Sequence, residues 1–215
     1  MGQVAEFTFS EKDEYKTEAT PAGEVSSVYF YDREDFEKAI IALAYKNEPR
    51  PIPASMGAIF LNGLVDHVAM KKIALVILSS GNYSAIPHDM VGLEPEAWRE
   101  KSVAIRKYHE LAHFIQRKLY PGNKDALRDE LKADMVGLLY AFGTYDTNMA
   151  KLFLGIEGDT YREGGRLQNY LEITPETITD TKRIIDVLKS EADAWKGEDW
   201  FSLLMKIEEK YGKNL

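Results

Sequence analysis

The 215-residue chain contains no cysteine, so it forms no disulfide bond and offers no thiolate ligand to a metal ion. It also lacks an apolar run long enough to cross a membrane and lacks any run of lysine and arginine. Because its net charge is −8, we expect it to bind neither nucleic acid nor an anionic membrane surface. The first residues lack the features of a secretory signal, so a cytoplasmic protein is the default expectation, with a secreted mature form left open.

The order of β-rich and amphipathic segments predicts a single α+β domain with a small mixed sheet and a mostly helical C-terminal lobe. Strands are expected at 25–31 and 72–79, and residues 7–9 fit either a short strand or a loose segment. The proline-rich segment 48–53 is expected to be an extended connection, and the apolar segment 56–68 fits either a helix or a strand pair. Helices are expected at 32–46, 95–119, 125–142, 144–156, 175–196 and 200–211. The domain would then comprise an upper lobe at 1–94, a helix hairpin at 95–143 and a lower helical lobe at 144–215.

An HExxH motif, His109-Glu110-Leu111-Ala112-His113, lies on the first helix of the predicted hairpin. Residues four apart on a helix point to the same side, so both imidazoles can reach one metal ion. The predicted apolar stripe of this helix excludes the two histidines, which are therefore not expected to be core residues. That stripe consists of Ala104, Tyr108, Leu111, Ile115 and Leu119.

Two acidic residues on the second helix of the hairpin face this motif. Pro121 and Gly122 supply the turn, and Asn123 is the expected N-cap of the second helix. In an antiparallel hairpin, Glu130 then lies opposite His113, and Asp134 lies opposite His109 in the same register. Glu130 is thus the expected third metal ligand, and Asp134 is expected to accept a hydrogen bond from the far nitrogen of His109. Gly137, one turn further along, would allow the two helices to approach closely.

HExxH followed by a helical ExxxD resembles the gluzincin group of zinc metallopeptidases, over residues 95–143. The resemblance implies a zincin-like fold with one zinc ion per chain, held by His109, His113 and Glu130. It also implies that Glu110 is the general base and that Asp134 orients a histidine. In zincins an edge strand before the HExxH helix pairs with the substrate backbone.

The segment that matches this edge strand in position contains Asn82, Tyr83, Ser84 and Ala85, so these residues are candidate substrate-binding residues. An ordinary hairpin strand without a ligand is the alternative. The donor for a developing oxyanion stays open among several residues. These are His67, His88, Tyr140, Tyr145, Tyr161, Arg162, Arg166 and Tyr170.

Two functions are compatible with these residues. The first is a zinc-dependent peptidase that cleaves a peptide or protein substrate. The second is a non-catalytic metal-binding module that keeps the zincin fold and acts through a protein partner. Glu110 favours the first, because a purely structural metal needs no base beside its open position. A third interpretation has no metal at all, with two exposed helical histidines beside ordinary surface carboxylates.

Overall fold

The computed structural model describes residues 18–25, 27–31, 75–79, 81–197 and 199–215. The segments predicted at 7–9, 32–46, 48–53 and 56–68 lie outside these residues, as does His67. The chain consists of two compact units. The first unit contains the strands at 27–31 and 75–79. The second comprises Thr20–Ala22 and Asn82–Leu215 and contains every residue of the candidate site.

Short strands form three separate pairs in the described part of the chain. The pairs are β1 (Glu18–Thr20) with β2 (Gly23–Val25), β3 (Ser27–Tyr31) with β4 (Leu75–Ser79), and β5 (Ile156–Glu157) with β6 (Thr160–Tyr161). Strands β3 and β4 are parallel, with Ser27 opposite Leu75 and Tyr31 opposite Ser79. Both fall within the predicted strand segments. Together with the helices below, they confirm the α+β class, but the described strands form separate pairs and not the single small mixed sheet that was predicted.

Helices α1 (Pro95–Leu119) and α2 (Ala126–Phe142) form the predicted hairpin. Proline suits the first turn of α1, because its φ angle is already helical and its missing N–H would have no partner there. Helix α2 begins after Asp125, whose carboxylate accepts a hydrogen bond from the backbone N–H of Arg128 at 3.0 Å. The prediction that Asn123 caps α2 is wrong, because the Asn123 amide instead donates to a carboxylate oxygen of Glu208 at 3.1 Å.

Local capping also sets the bounds of the later helices. The first of them is shorter than predicted, because Asp146 caps its start and Gly155, with φ of 84°, ends it. The next begins at the N-cap Thr174, which forms a reciprocal capping box with Thr177. These helices are α3 (Thr147–Leu154), α4 (Pro175–Ala194) and α5 (Trp200–Tyr211). Over the ranges given above, no helix has the length and apolarity needed to cross a membrane.

Helix α2 is the central helix of the second unit, since α1, α3, α4 and α5 all contact it. Buried residues therefore occur along its whole length rather than on one stripe. On α1 the predicted stripe is buried only in part. Leu111 and Ile115 are at most 1% exposed, whereas Leu119 is 42% exposed because it lies in the last turn, past the contact with α2.

Candidate metal centre

Three potential metal ligands converge between α1 and α2. His113 Nε2 lies 3.2 Å from Glu130 Oε1, and His109 Nε2 lies 3.5 Å from Glu130 Oε2. One ligand atom from each of the three residues lies within 4.8 Å of the other two. Two donors bound about 2.05 Å from one tetrahedral zinc ion are about 3.3 Å apart. The nitrogen and oxygen atoms of this group therefore fit a zinc ion in both chemistry and spacing.

The sequence accounts for this convergence. His109 and His113 share one side of α1 because they are one turn apart, and the hairpin register brings Glu130 and Asp134 opposite them. Gly137 allows the close approach that was predicted, since a Cβ atom there would lie 2.6 Å from the Ile105 carbonyl oxygen. The three candidate ligands therefore lie on two helices whose backbones approach each other closely at Gly137.

His109 and His113 are 6% and 8% exposed, so the prediction that they are not buried is wrong. The helical wheel of α1 shows only its apolar stripe, whereas polar partners from α2 and from two 3₁₀ turns cover the histidine face. These turns are Tyr83–Ala85 and Arg166–Asn169. Buried polar groups need hydrogen-bond partners, and both imidazoles have them.

Asp134 holds the far nitrogen of His109. His109 Nδ1 lies 2.8 Å from Asp134 Oδ1, and the Tyr83 hydroxyl donates to the same oxygen at 2.6 Å. Burial alone would raise the pKa of Asp134, but Arg166 and the bonds from His109 and Tyr83 hold it well below its usual value. The carboxylate is therefore ionised and accepts the Nδ1 hydrogen, so Nε2 is the nitrogen of His109 that faces Glu130 and could bind a metal.

Arg166 links the two carboxylates of α2. Its Nη2 lies 2.7 Å from Glu130 Oε2, and its Nη1 lies 3.3 Å from Asp134 Oδ2 and 3.0 Å from Ser84 Oγ. Burial would raise the pKa of Glu130, but the hydrogen bond from His113 and the charges of His109, His113 and Arg166 lower it to about 2. Glu130 is thus a carboxylate at neutral pH, as a metal ligand must be.

The far nitrogen of His113 faces Gln116, with Nδ1 3.1 Å from the Gln116 side-chain oxygen. Burial lowers the pKa of His113, but its hydrogen bond to Glu130 and the charges of Glu130 and Glu110 raise it above the ordinary value overall. Gln116 is not among the residues predicted from the sequence. Its position three residues after His113, on the same side of the helix, is the signal that could have found it.

The predicted edge strand is wrong. The segment forms a 3₁₀ turn at Tyr83–Ala85, with Ser84 at φ 52° and Ala85 at φ 56°. Tyr83 and Ile86 are both buried. The Tyr83 N–H donates to the Ser102 hydroxyl, and the Ile86 carbonyl accepts a hydrogen bond from the Trp98 indole. These contacts bend the backbone, so it offers no free edge to a peptide. The substrate-binding role of Asn82, Tyr83, Ser84 and Ala85 stays a prediction, without strand pairing to support it.

Glu110 and the candidate oxyanion donors occupy different surroundings. Glu110 is half-buried, and no described residue forms a hydrogen bond or ion pair with its carboxylate. Tyr170 lies close enough to Arg166 and Glu130 to interact with both. Burial is the main cause that raises its pKa to about 12.

Most of the other candidate donors interact with groups outside the site. Tyr140 donates to Asp199, Tyr161 to the Gly165 carbonyl oxygen and Arg162 to the Leu152 carbonyl oxygen. His88 pairs with the Leu93 carbonyl oxygen. Among the described candidates, Arg166 and Tyr170 interact with Glu130 at the candidate metal centre. Tyr145 is buried, and burial together with the charge of Asp134 raises its pKa.

Comparison with known proteins gives a family and no further relative. The model of a family of unknown function, DUF7005, matches residues 4–74 and 64–200. No curated protein and no solved structure matches the chain.

Proposed function

This chain belongs to the DUF7005 family, and we propose that it is a zinc-dependent metallopeptidase of zincin-like fold with one zinc ion per chain. The observation that carries the proposal is the convergence of His109, His113 and Glu130 within one metal-sized space. The resemblance of the hairpin to gluzincins supports a peptide or protein substrate. Two histidines and one carboxylate form a ligand set typical of catalytic zinc, which keeps one position open.

The side chains around this space match the needs of peptide hydrolysis. Zinc held there would supply an activated water and a charge that polarises the scissile carbonyl. Glu110 follows His109 on α1, and its carboxylate has no described hydrogen-bond or ion-pair partner, so it is available to take a proton. It then returns that proton to the leaving amine.

Tyr170 is the donor we assign to the developing oxyanion. Its phenol interacts with Glu130 and Arg166, and its pKa of about 12 keeps it protonated at neutral pH. Arg166 is less suited to this role, because its two terminal nitrogens already contact Glu130 and Asp134. A neutral donor beside the scissile carbonyl stabilises the charge that develops on oxygen during attack.

Metal content tests the ligand set. The purified wild type, incubated with zinc and then desalted, should contain one zinc ion per chain by mass spectrometry. Glu130→Ala should lose most of that zinc, whereas Glu163→Ala, which removes an exposed carboxylate outside the site, should retain it. A wild type that stays metal-free would refute the proposal at its first step.

Replacement of Glu110 tests catalysis separately from metal binding. Glu110→Gln should keep one zinc ion per chain while its cleavage of a quenched fluorescent peptide library falls by about 10²–10⁴-fold, the usual contribution of a general base. Cleavage that is unchanged in this variant would exclude Glu110 as the base. A zinc-loaded wild type that cleaves no peptide would favour the non-catalytic metal-binding module.

A further inference from the structure

A buried chain of polar contacts connects His113 to the C-terminal helix α5. Gln116 is 5% exposed, and its amide nitrogen donates to Glu208 Oε1 at 3.1 Å while its oxygen faces His113 Nδ1 at 3.1 Å. On the far side, Lys132 Nζ lies 2.5 Å from the same oxygen of Glu208. The chain thus runs from α1 to α5 and back to α2 through three side chains.

The charge on Glu208 determines which way the Gln116 amide points. Besides Gln116, the carboxylate of Glu208 is surrounded by two donors, the ammonium of Lys132 and the amide of Asn123. It therefore acts only as an acceptor, so Gln116 must direct its NH₂ group at Glu208 and its oxygen at His113. An amide oxygen accepts a hydrogen bond but cannot donate one. His113 Nδ1 must then carry a hydrogen, so Nε2, the nitrogen that faces Glu130, is the one left to bind a metal.

We propose that Gln116, Glu208 and Lys132 act as positioning residues that fix the metal-binding tautomer of His113. The inference rests on the proposed metal site, and it assigns to α5 a role in that site. The two histidines are then held in different ways. His109 is oriented directly by the carboxylate of Asp134 on α2. His113 is oriented by the amide of Gln116, which is itself held by the carboxylate of Glu208 on α5.

The energetics of the Lys132–Glu208 pair support a positioning role. Both side chains are fully buried, and removing two charges from water costs several kcal/mol per ion, which their attraction offsets only in part. Apolar residues at these two positions would fill the same space without that cost. What the pair does supply is a fixed carboxylate that accepts the hydrogen bond from the Gln116 amide nitrogen.

The first test replaces Gln116 by methionine, which has similar length and helix propensity and offers no strong acceptor. A cavity of about 50 Å³ beside Gln116 leaves room for the thioether. We expect zinc to bind 10–100-fold more weakly, as is typical when a partner of a metal-bound histidine is removed. As a matched control, Tyr140→Phe removes another contact between α2 and the start of α5, the bond to Asp199, and should leave zinc affinity unchanged.

The hydrogen on His113 Nδ1 can be observed without metal. In the metal-free wild type, ¹⁵N NMR should show a hydrogen on Nδ1 that is held by the Gln116 oxygen and exchanges slowly with water. In Gln116→Met this hydrogen loses its acceptor, so its exchange should be faster. The double variant Lys132→Met/Glu208→Leu removes both buried charges together, and with them the acceptor of the Gln116 amide nitrogen, so it should also speed the exchange.

The outcomes separate this inference from the proposed function. A wild type that binds no zinc overturns the metal site, whereas the NMR measurement still tests the tautomer. A wild type that binds zinc, together with a Gln116→Met variant that binds it equally well, overturns the positioning role alone. The same holds if His113 Nδ1 carries no hydrogen in the metal-free wild type.

Discussion

The acid stability of the metal-free protein should depend on Glu130 more than on any exposed carboxylate. In the folded protein the pKa of Glu130 is lowered from 4.5 to about 2, because the contributions of His113, His109 and Arg166 outweigh the effect of burial. A lowered pKa adds stability that is fully present above the unfolded value and is lost as the pH falls through the folded value. Glu130→Gln removes this titration while it retains the shape of the side chain.

The size of the effect follows from the pKa difference. A shift from 4.5 to about 2 corresponds to about 3.4 kcal/mol of unfolding free energy at 1.36 kcal/mol per pKa unit. The Glu130 side chain is only 22% exposed, so solvent screening reduces this figure little. About 3.3 kcal/mol of the contribution is present at pH 5.5 and about 1.4 kcal/mol at pH 3, a loss of about 2 kcal/mol over that range.

Urea denaturation of wild type and Glu130→Gln at several pH values between 5.5 and 3, with a chelator present, measures this loss. We expect the stability difference between the two proteins to shrink by about 2 kcal/mol across the range. At pH 5.5 His113 is charged, since its pKa is raised, so the same ion pairs act at the start of the titration. Glu163→Gln, at an exposed site, should run parallel to the wild type. A Glu130→Gln curve that also runs parallel would refute the assigned pKa and its cause.

Three further predictions concern the same helices. Arg166→Met leaves Glu130 and Asp134 without their buried cation, so urea denaturation of the metal-free protein should show a loss of about 3–5 kcal/mol; a loss below 1 kcal/mol would contradict the contacts described above. Gly137→Ala brings a Cβ atom against the Ile105 carbonyl oxygen, so it should cost about 1–3 kcal/mol in thermal denaturation and weaken zinc binding, whereas Gly122→Ala, with open space around it, should do neither. Zinc at 100 times its Kd should stabilise the wild type by about 2.7 kcal/mol in calorimetry and should stabilise Glu130→Ala far less.

The hairpin could be predicted because its determinants are local. The spacing of His109 and His113, the turn at Pro121 and the length of the following segment together fix which residues face each other. A register of this kind needs only helix geometry and a short turn. The bounds of α1, α2 and α5 follow from the same local rules, as does the Thr174 cap of α4.

The partners that cover the histidines could not be predicted in the same way. Arg166 and Tyr83 lie in 3₁₀ turns distant in sequence from the hairpin, and Glu208 lies on the last helix. Their approach depends on tertiary packing, for which no periodicity gives a signal. At Asn82–Ile86 tertiary contacts also override the local pattern. The strand was expected from the position of the segment before the HExxH helix, whereas the structure buries Tyr83 and Ile86 and gives them hydrogen bonds to Ser102 and Trp98.

The position of α2 explains why the site and the core respond together to a change. Glu130, Asp134 and Gly137 lie on the side of α2 that meets α1, whereas Lys132 extends toward α5. A helix that is surrounded in this way cannot move one side chain toward solvent without disturbing the packing on its other sides. Metal binding at the proposed site and folding would therefore be coupled through one element, because the carboxylates that would hold the metal also hold Arg166 and the two histidines in the metal-free protein.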